Sequence, residues 1–576
     1  MSRRRWWLLA GAVVLVWLVA AGVLVARATA DLHAGRDAAT AARQRIDAKA
    51  IADGRPLPAL RRARAKFGSA AAATGNPVLL PVRALPIVGR QLRSVHAMAS
   101  AAREVSDAAV VAVGRAHDVL AAPANGGPAR VAQVRALRDA VVTADRRVHT
   151  VRLGPVVDLV GPLARARDEL AAKLADATTA LDDASAGAEA GLRLLEGPRH
   201  YLVIAANNAE MRAGSGMWLS GGVLTTSGGR LELGPVEPLY QQADPRGAVP
   251  AIADADLRDR WGAAWAPNAD WRALMVSPRL PASAQLGLAM WKAAGQPAID
   301  GVLVVDPAAL AAVVRATGPI TAAGRTITAD QVVPELLHDQ YLQFSTVTAE
   351  QADRRQALGA IAAGAFHALD AGSWSAAELA TQLGKAVAGR HLLAWSPDPV
   401  EEKGWVAAGM AGDLRRDSLL VSVLNRGGNK LDWFTRTEGR IVTTPAGDGE
   451  DVSVQLTIRN DAPAGLPRYV AGPPLEGERW PEGTYVGVVA VDVPGGATDV
   501  RLVGGTPVVD GRDGAAHVIA AALRLARGEH GQLTVTFHLA GHHGALAVEP
   551  SARVPGMTWH YGARTWQDAQ RRMAKW

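Results

Sequence analysis

Charged and amide side chains gather at a few points of a chain that is otherwise rich in alanine, glycine and valine. Tyr201-Leu-Val-Ile-Ala205 has the pattern of a buried strand and runs out into Asn207-Asn208-Ala209-Glu210-Met211-Arg212. Far downstream, Asp353-Arg354-Arg355-Gln356 opens a helix, and Asn425-Arg426-Gly427-Gly428-Asn429-Lys430 follows a strand. These residue types offer charge pairing and hydrogen bonding. Glu210 and Arg212, two apart at a strand end, suit pairing with other buried charges. Asp353 and the two arginines also fit a solvated first turn, with the aspartate matched to the helix dipole. The loop 425–430 either closes a domain or lines a cleft.

Other chemistries lack residues to run on. The chain has no cysteine, which excludes disulfides, thiolate metal sites and a thiol nucleophile. Neither a Gly-x-Ser-x-Gly elbow nor a His-Glu-x-x-His helix occurs. The glycine-rich run Gly214–Gly222 lacks the Lys-Ser/Thr of a phosphate loop, so it is expected to shape a turn against a ligand or a neighbouring strand. His338-Asp339 and His542-His543 stand too isolated to form a metal set.

The elements that would position these residues alternate in type. Val223–Thr226 and Arg230–Leu233, joined by Ser227-Gly228-Gly229, predict a hairpin. Asp300–Pro307 predicts a strand leading into a helix over 308–316 that ends at Gly318-Pro319, and a long helix follows over 353–369. Together they predict a layered α/β/α domain over 197–435. Beyond it, Val452–Ile458, Tyr485–Val493 and Leu533–Leu539 alternate apolar and polar residues, which predicts an accessory β-sandwich over 440–560 and a tail over 561–576. Residues 31–196 are Ala-rich, with leucine and valine at helical spacing and breaks at Gly154-Pro155 and Gly161-Pro162. They read as a helical stalk or bundle, either a spacer or a partner-binding coiled coil.

Trp6–Ala26 is uncharged and, at about 1.5 Å per residue, spans a hydrocarbon core of about 30 Å. Arg3, Arg4 and Arg5 place residues 1–5 in the cytoplasm by the positive-inside rule, with the bulk of the chain extracytoplasmic. Ala28-Thr29-Ala30 resembles a signal-peptidase site, but the apolar stretch exceeds a signal-peptide core and favours a retained signal anchor. The expected fold is thus α/β, with an N-terminal transmembrane helix, an α-helical stalk and a C-terminal β-sandwich. The net charge of +7 over 576 residues, with no compact basic and aromatic patch, excludes nucleic acid as partner and leaves membrane lipid.

Tyr201–Gly222, the Asp300–Pro307 strand with Gly318-Pro319-Ile320, His338-Asp339-Gln340-Tyr341, Arg354-Arg355-Gln356 and Ser422–Lys430 together resemble the bacterial domain of unknown function 4012 family, over roughly 197–433. More distantly, the order of the Asp300–Asp306 strand, Gly318-Pro319-Ile320 and Arg355-Gln356 is similar to the LytR-CpsA-Psr proteins. Those are membrane-anchored enzymes that transfer glycopolymers from polyprenyl-pyrophosphate carriers to the wall, using arginines and a magnesium ion. That resemblance implies Arg212, Arg354 and Arg355 on the pyrophosphate, with Asn208, Gln356, Asn425 and Arg426 as further substrate contacts. It also implies Glu210 and Asp353 on Mg2+. Guanidinium forks match phosphate oxygens, and a helix N-terminus adds its dipole. The pattern also departs from that family: Glu210 and Arg212 stand in reversed order, Ala352 holds an arginine position, and Leu342-Gln343-Phe344 replaces an arginine-bearing strand. The expectation is an envelope protein of exopolysaccharide or wall-glycopolymer assembly. It would be either a glycopolymer phosphotransferase or a non-catalytic binding, structural or interaction protein.

Overall fold

A computed structural model describes residues 3–122, 126–154, 159–343, 348–372, 374–472, 480–542 and 544–576, without the side chains of 3–12 and 348–358. The chain forms two compact units, residues 1–123 with 132–189, and residues 124–131 with 190–576.

The first unit is helical. Its opening helix, Arg3–Arg43, is long and apolar enough to cross a membrane, and its apolar stretch is only 11% buried by protein. The helix Leu57–Gly75 runs back along it, with Lys66 Nζ 2.8 Å from Asp31 Oδ1, and Val88–Ala121 returns. Alanines fill the contacts: Ala38, Ala63 and Ala102 pack around Phe67, and Ala108 and Ala144 pack with Val148. Small side chains let helix backbones approach closely, so the Ala-rich composition here is packing.

The second unit begins with a six-stranded mixed sheet. We label its main strands β1 (Arg199–Met211), β2 (Gly216–Ser227), β3 (Arg230–Leu233), β4 (Gly301–Val305) and β5 (Leu392–Trp395), in the order β3-β2-β1-β4-β5. The hairpin pairs Ser227 with Arg230, as its Gly-Gly turn predicts. β4 runs parallel to β1 and feeds the helix Pro307–Thr317, whose first backbone N–H groups Asp306 caps.

Period-two alternation divides the layers. Leu202, Ile204, Val302 and Val304 face the helix Leu280–Ala293 and three buried tryptophans, Trp218, Trp261 and Trp271. Tyr201, Val203, Leu303 and Val305 face the helices Pro307–Thr317, Thr348–Ala371 and Ala376–Ala388. This is the expected α/β/α layering.

Two further six-stranded sheets share a second core built on Val421, Val423, Val454, Val489, Val491, Phe537 and Trp559. Their boundaries differ from the expected 440–560. Ser418–Asn425, expected in the α/β domain, pairs with Tyr485–Pro494 in the middle of one sheet. Being buried on both sides, it carries apolar side chains on both faces, Leu419, Val421 and Val423 on one and Leu420 and Leu424 on the other, interrupted only by the buried Ser422. The stretch 561–576, expected as a tail, supplies Arg564–Gln567 and Arg572–Lys575 to the two sheets. The outward faces of Leu424, Val488 and Ala490 join the tryptophan-rich core, which makes the second unit continuous.

Candidate functional site

The site starts with the way β1 ends. Its register against β2 shifts after Ala205 and again between Asn207 and Met211, so Asn208, Ala209 and Glu210 bulge out of the ladder. Bulges re-aim side chains, and this one turns Asn207, Glu210 and Arg212 toward a cleft of about 860 Å³. The close approach of the strands at the bulge requires glycine at position 216, where a Cβ would lie 2.2 Å from the Asn207 carbonyl carbon. Gly214 and Ser215 form the expected turn, joining β1 to β2, and from Gly216 on the glycine-rich run is strand β2 itself, pressed against its neighbour.

Asp432, fully buried, fastens the far wall. It accepts from the Met211 N–H at 3.1 Å, the Asn425 amide at 2.9 Å, the Tyr485 hydroxyl at 2.9 Å and Arg553 Nη1 at 2.9 Å. One carboxylate thus ties the end of β1 to the loop 425–430.

Arg212 is the most unusual charge in the cleft. It is 5% exposed, and among the described residues no carboxylate pairs with it. Nε donates to the Arg272 carbonyl at 2.7 Å, and Nη1 donates to the Met211 and Asn425 carbonyls at 3.0 and 2.6 Å. Burial pulls its guanidinium down to about 10, with Glu210 and Asp432 opposing. The remaining nitrogen, Nη2, meets no acceptor among the described residues. Arg426, exposed on the same wall, shares an aromatic platform with it: both guanidinium carbons lie 5.2 Å from the centre of the Trp265 ring.

The other cleft charges are paired. Lys430 Nζ lies 2.8 Å from Glu210 Oε2 and 4.8 Å from the centre of the Tyr469 ring. Burial disfavours this ammonium, but Glu210 outweighs it and raises the Lys430 pKa. Arg246 and Arg272 each fork onto the aspartate two residues earlier, and each aspartate also accepts its arginine's backbone N–H. The Arg246 fork holds Asp244 down at about 2. Burial pushes Asp270 up, and the Arg272 fork more than offsets it.

The expected site residues divide accordingly. Arg212, Glu210, Asn425 and Arg426 line one cleft. Asn208 does not; it is fully buried and donates to Asp306 at 2.9 Å and to the Ala552 carbonyl at 2.7 Å. Asp353, Arg354, Arg355 and Gln356 stand in the helix Thr348–Ala371, whose Gly359 and Ala362 line the cleft, but their side chains lie outside the described residues. His543 lies outside them too. Glu210 was expected on magnesium. An ammonium 2.8 Å from its carboxylate makes the donor set there that of an ion pair, which does not fit a divalent cation. Among the described residues, the group close enough to share a cation is Asp145, His149 and Asp182 of the helical unit, and it is largely exposed.

Sequence reasoning missed Trp265, Tyr469, Asp432 and the two paired arginines. The repeated Asp244-Pro-Arg246 and Asp270-Trp-Arg272 spacing was a usable signal for the last of these.

The fold and site define a mixed α/β protein with an apolar N-terminal helix and a cleft holding one buried arginine that, among the described residues, makes no direct carboxylate pair. Residues 196–341, which carry β1, β2, β4 and Tyr341, match the family described as Protein of unknown function (DUF4012). No curated protein and no solved structure matches the chain.

Proposed function

We propose that this is a single-pass envelope protein, N-terminus cytoplasmic and bulk extracytoplasmic, whose cleft binds a polyprenyl-pyrophosphate-linked glycan during exopolysaccharide or wall-glycopolymer assembly. Arg212 carries the reading. A buried guanidinium without a carboxylate partner is costly unless an anion completes it, and a phosphate oxygen at Nη2 would do so. Arg426 supplies a second cation beside it. The aromatic walls, Tyr240, Trp265 and Tyr469, suit the apolar faces of sugar rings. The anchor would keep the chain at the membrane that carries such a lipid.

Glu210, neutralised by Lys430, favours binding over metal-assisted transfer, so no step is routed through magnesium. The alternative reading, a structural or interaction protein of the envelope, leaves Arg212 unexplained.

The test is binding of a polyprenyl pyrophosphate to the full chain in detergent, with and without Mg2+, for wild type, Arg212→Ala and Arg355→Ala. Binding that falls at least about tenfold in Arg212→Ala, the loss of a charge-assisted contact, supports the reading. Absence of binding, or binding indifferent to Arg212, removes it.

A further inference from the structure

The helical unit carries an apolar elbow, Pro77-Val-Leu-Leu-Pro-Val-Arg-Ala-Leu-Pro-Ile-Val88, between the helices Leu57–Gly75 and Val88–Ala121. Its exposed side chains are large and apolar: Leu80 is 59% exposed, Leu85 50%, Ile87 71% and Val88 52%. The elbow is docked against the anchor helix. Trp17 Nε1 donates to the Val78 carbonyl at 2.8 Å, and Leu79, Leu92 and Val82 pack with Ala21 and Leu24.

That contact fixes the elbow's depth. If Trp6–Ala26 spans the bilayer, Trp17 lies about 14 Å below the outer end of the span, and Ala21 about 8 Å below it. The descent is visible along the preceding helix. Lys66 meets Asp31, outside the apolar stretch, whereas Val78, beyond that helix's end, has reached the level of Trp17.

We propose that this elbow enters the outer leaflet, making a second membrane contact beside the spanning helix. The inference rests on the anchor reading. Leu80, Leu85, Ile87 and Val88 lie among acyl chains, continuous with the bare apolar surface of Val19, Val23 and Val25. Arg83, Arg90 and Arg93 flank the tip, and Arg90 and Arg93 turn their guanidinium groups onto elbow carbonyls, which satisfies part of their polarity within the protein. The backbone suits this medium, because carbonyls that would be orphaned there have donors. Trp17 serves Val78, Arg90 Nε serves Pro86 at 3.1 Å, and Arg93 Nη1 serves Arg83 at 2.5 Å. Such a wedge would fix the tilt and rotation of the anchor, which one helix alone leaves free.

The absence of cysteine makes the test direct. Ile87→Cys, Val19→Cys and Asp183→Cys variants of the full chain, each carrying an environment-sensitive fluorophore, are reconstituted in phosphatidylethanolamine–phosphatidylglycerol liposomes containing doxyl-labelled lipids. The Ile87 probe is expected to shift to the blue and lose most of its emission to doxyl groups deep in the acyl chain, near the level of Trp17. The Val19 probe should be quenched at a similar or slightly shallower depth, and the Asp183 probe at none. An Ile87 probe as wet as Asp183 overturns the proposal while Val19 still quenches. So does one that is blue-shifted but unquenched, which signals a protein or a second copy over the elbow. Failure of Val19 to quench overturns the anchor itself.

Discussion

Lys430 and Glu210 form an ion pair at 2.8 Å with each side chain only 6% exposed, lining a cleft whose buried Arg212 has no such partner among the described residues. A buried pair draws its stability from mutual satisfaction, and removing one member strands the other. Lys430→Met is therefore expected to cost about 3–5 kcal/mol, and adding Glu210→Gln should recover much of it. Thermal melts of the two variants and the wild type decide this. A single variant as stable as wild type would mean that water reaches the carboxylate.

The cleft arginines should not behave alike. Arg246 and Arg272 already give their forks to Asp244 and Asp270, whereas among the described residues Arg426 donates only to the Ala264 carbonyl, at 3.2 Å. Arg426→Ala is expected to weaken binding of a polyprenyl pyrophosphate about tenfold, and Arg246→Ala less than about twofold, because an exposed pair has little charge to spare. The comparison is a titration of both variants at one ionic strength. Equal losses would mean that the cleft works through general positive potential rather than through particular forks.

Gly216 tests the bulge that aims the site. A methyl group there meets Asn207 backbone atoms at 2.2, 2.5 and 2.6 Å, and backbone cannot yield as a flexible side chain can. Gly216→Ala is expected to destabilise by about 1–3 kcal/mol and to lower binding in the same step, since Glu210 and Arg212 hang from the distorted strand. A stable variant with intact binding would show that the bulge does not set the positions of those side chains.

These positions explain what could be read beforehand. The strand Tyr201–Ala205, the hairpin at Gly228-Gly229 and the Asp306-capped helix were legible because local periodicity and turn chemistry determine them. The extension of β1 to Met211 was not, because Asn207, Asn208 and Glu210 break the apolar alternation and are satisfied only by distant groups. Asp306 and Ala552 hold Asn208, and Lys430 holds Glu210. Arg212 was recognisable as a charge at a strand end. Its lack of a carboxylate depends on residues 60 and 213 positions away. The strand Ser418–Asn425 was recognised as a strand, but the sheet it joins depends on pairing with residues beyond 485.

His391 gives a pH dependence of definite sign. Its Nδ1 lies 2.6 Å from Asp306, and although burial opposes the charge, Asp306 raises the imidazole above its ordinary 6.5. A raised folded-state pKa contributes stability that is complete below 6.5 and is lost as pH climbs through the raised value. The melting temperature of the wild type should therefore fall more steeply above pH 6.5 than that of His391→Gln. Parallel curves would show that the pair titrates alike folded and unfolded.

Asp492 reverses the usual behaviour of a carboxylate. It sits fully buried in the strand Tyr485–Pro494, and neither of its oxygens has a hydrogen-bond partner among the described residues. Burial first, then the neighbouring Asp513, pushes its pKa well above the ordinary 3.8, while Arg390 and Arg279 oppose. Between 3.8 and that raised value the folded chain holds a proton that the unfolded chain has released, so stability falls as pH rises through the interval. Asp492→Asn keeps the shape and removes the titration. It is expected to melt close to the wild type near pH 3.8 and above it at higher pH, with the gap opening as pH climbs through the interval and levelling off beyond the raised value. Melts across that range read the gap directly. A constant offset would mean that Asp492 is ionised in the folded chain, with Arg390 and Arg279 outweighing its burial.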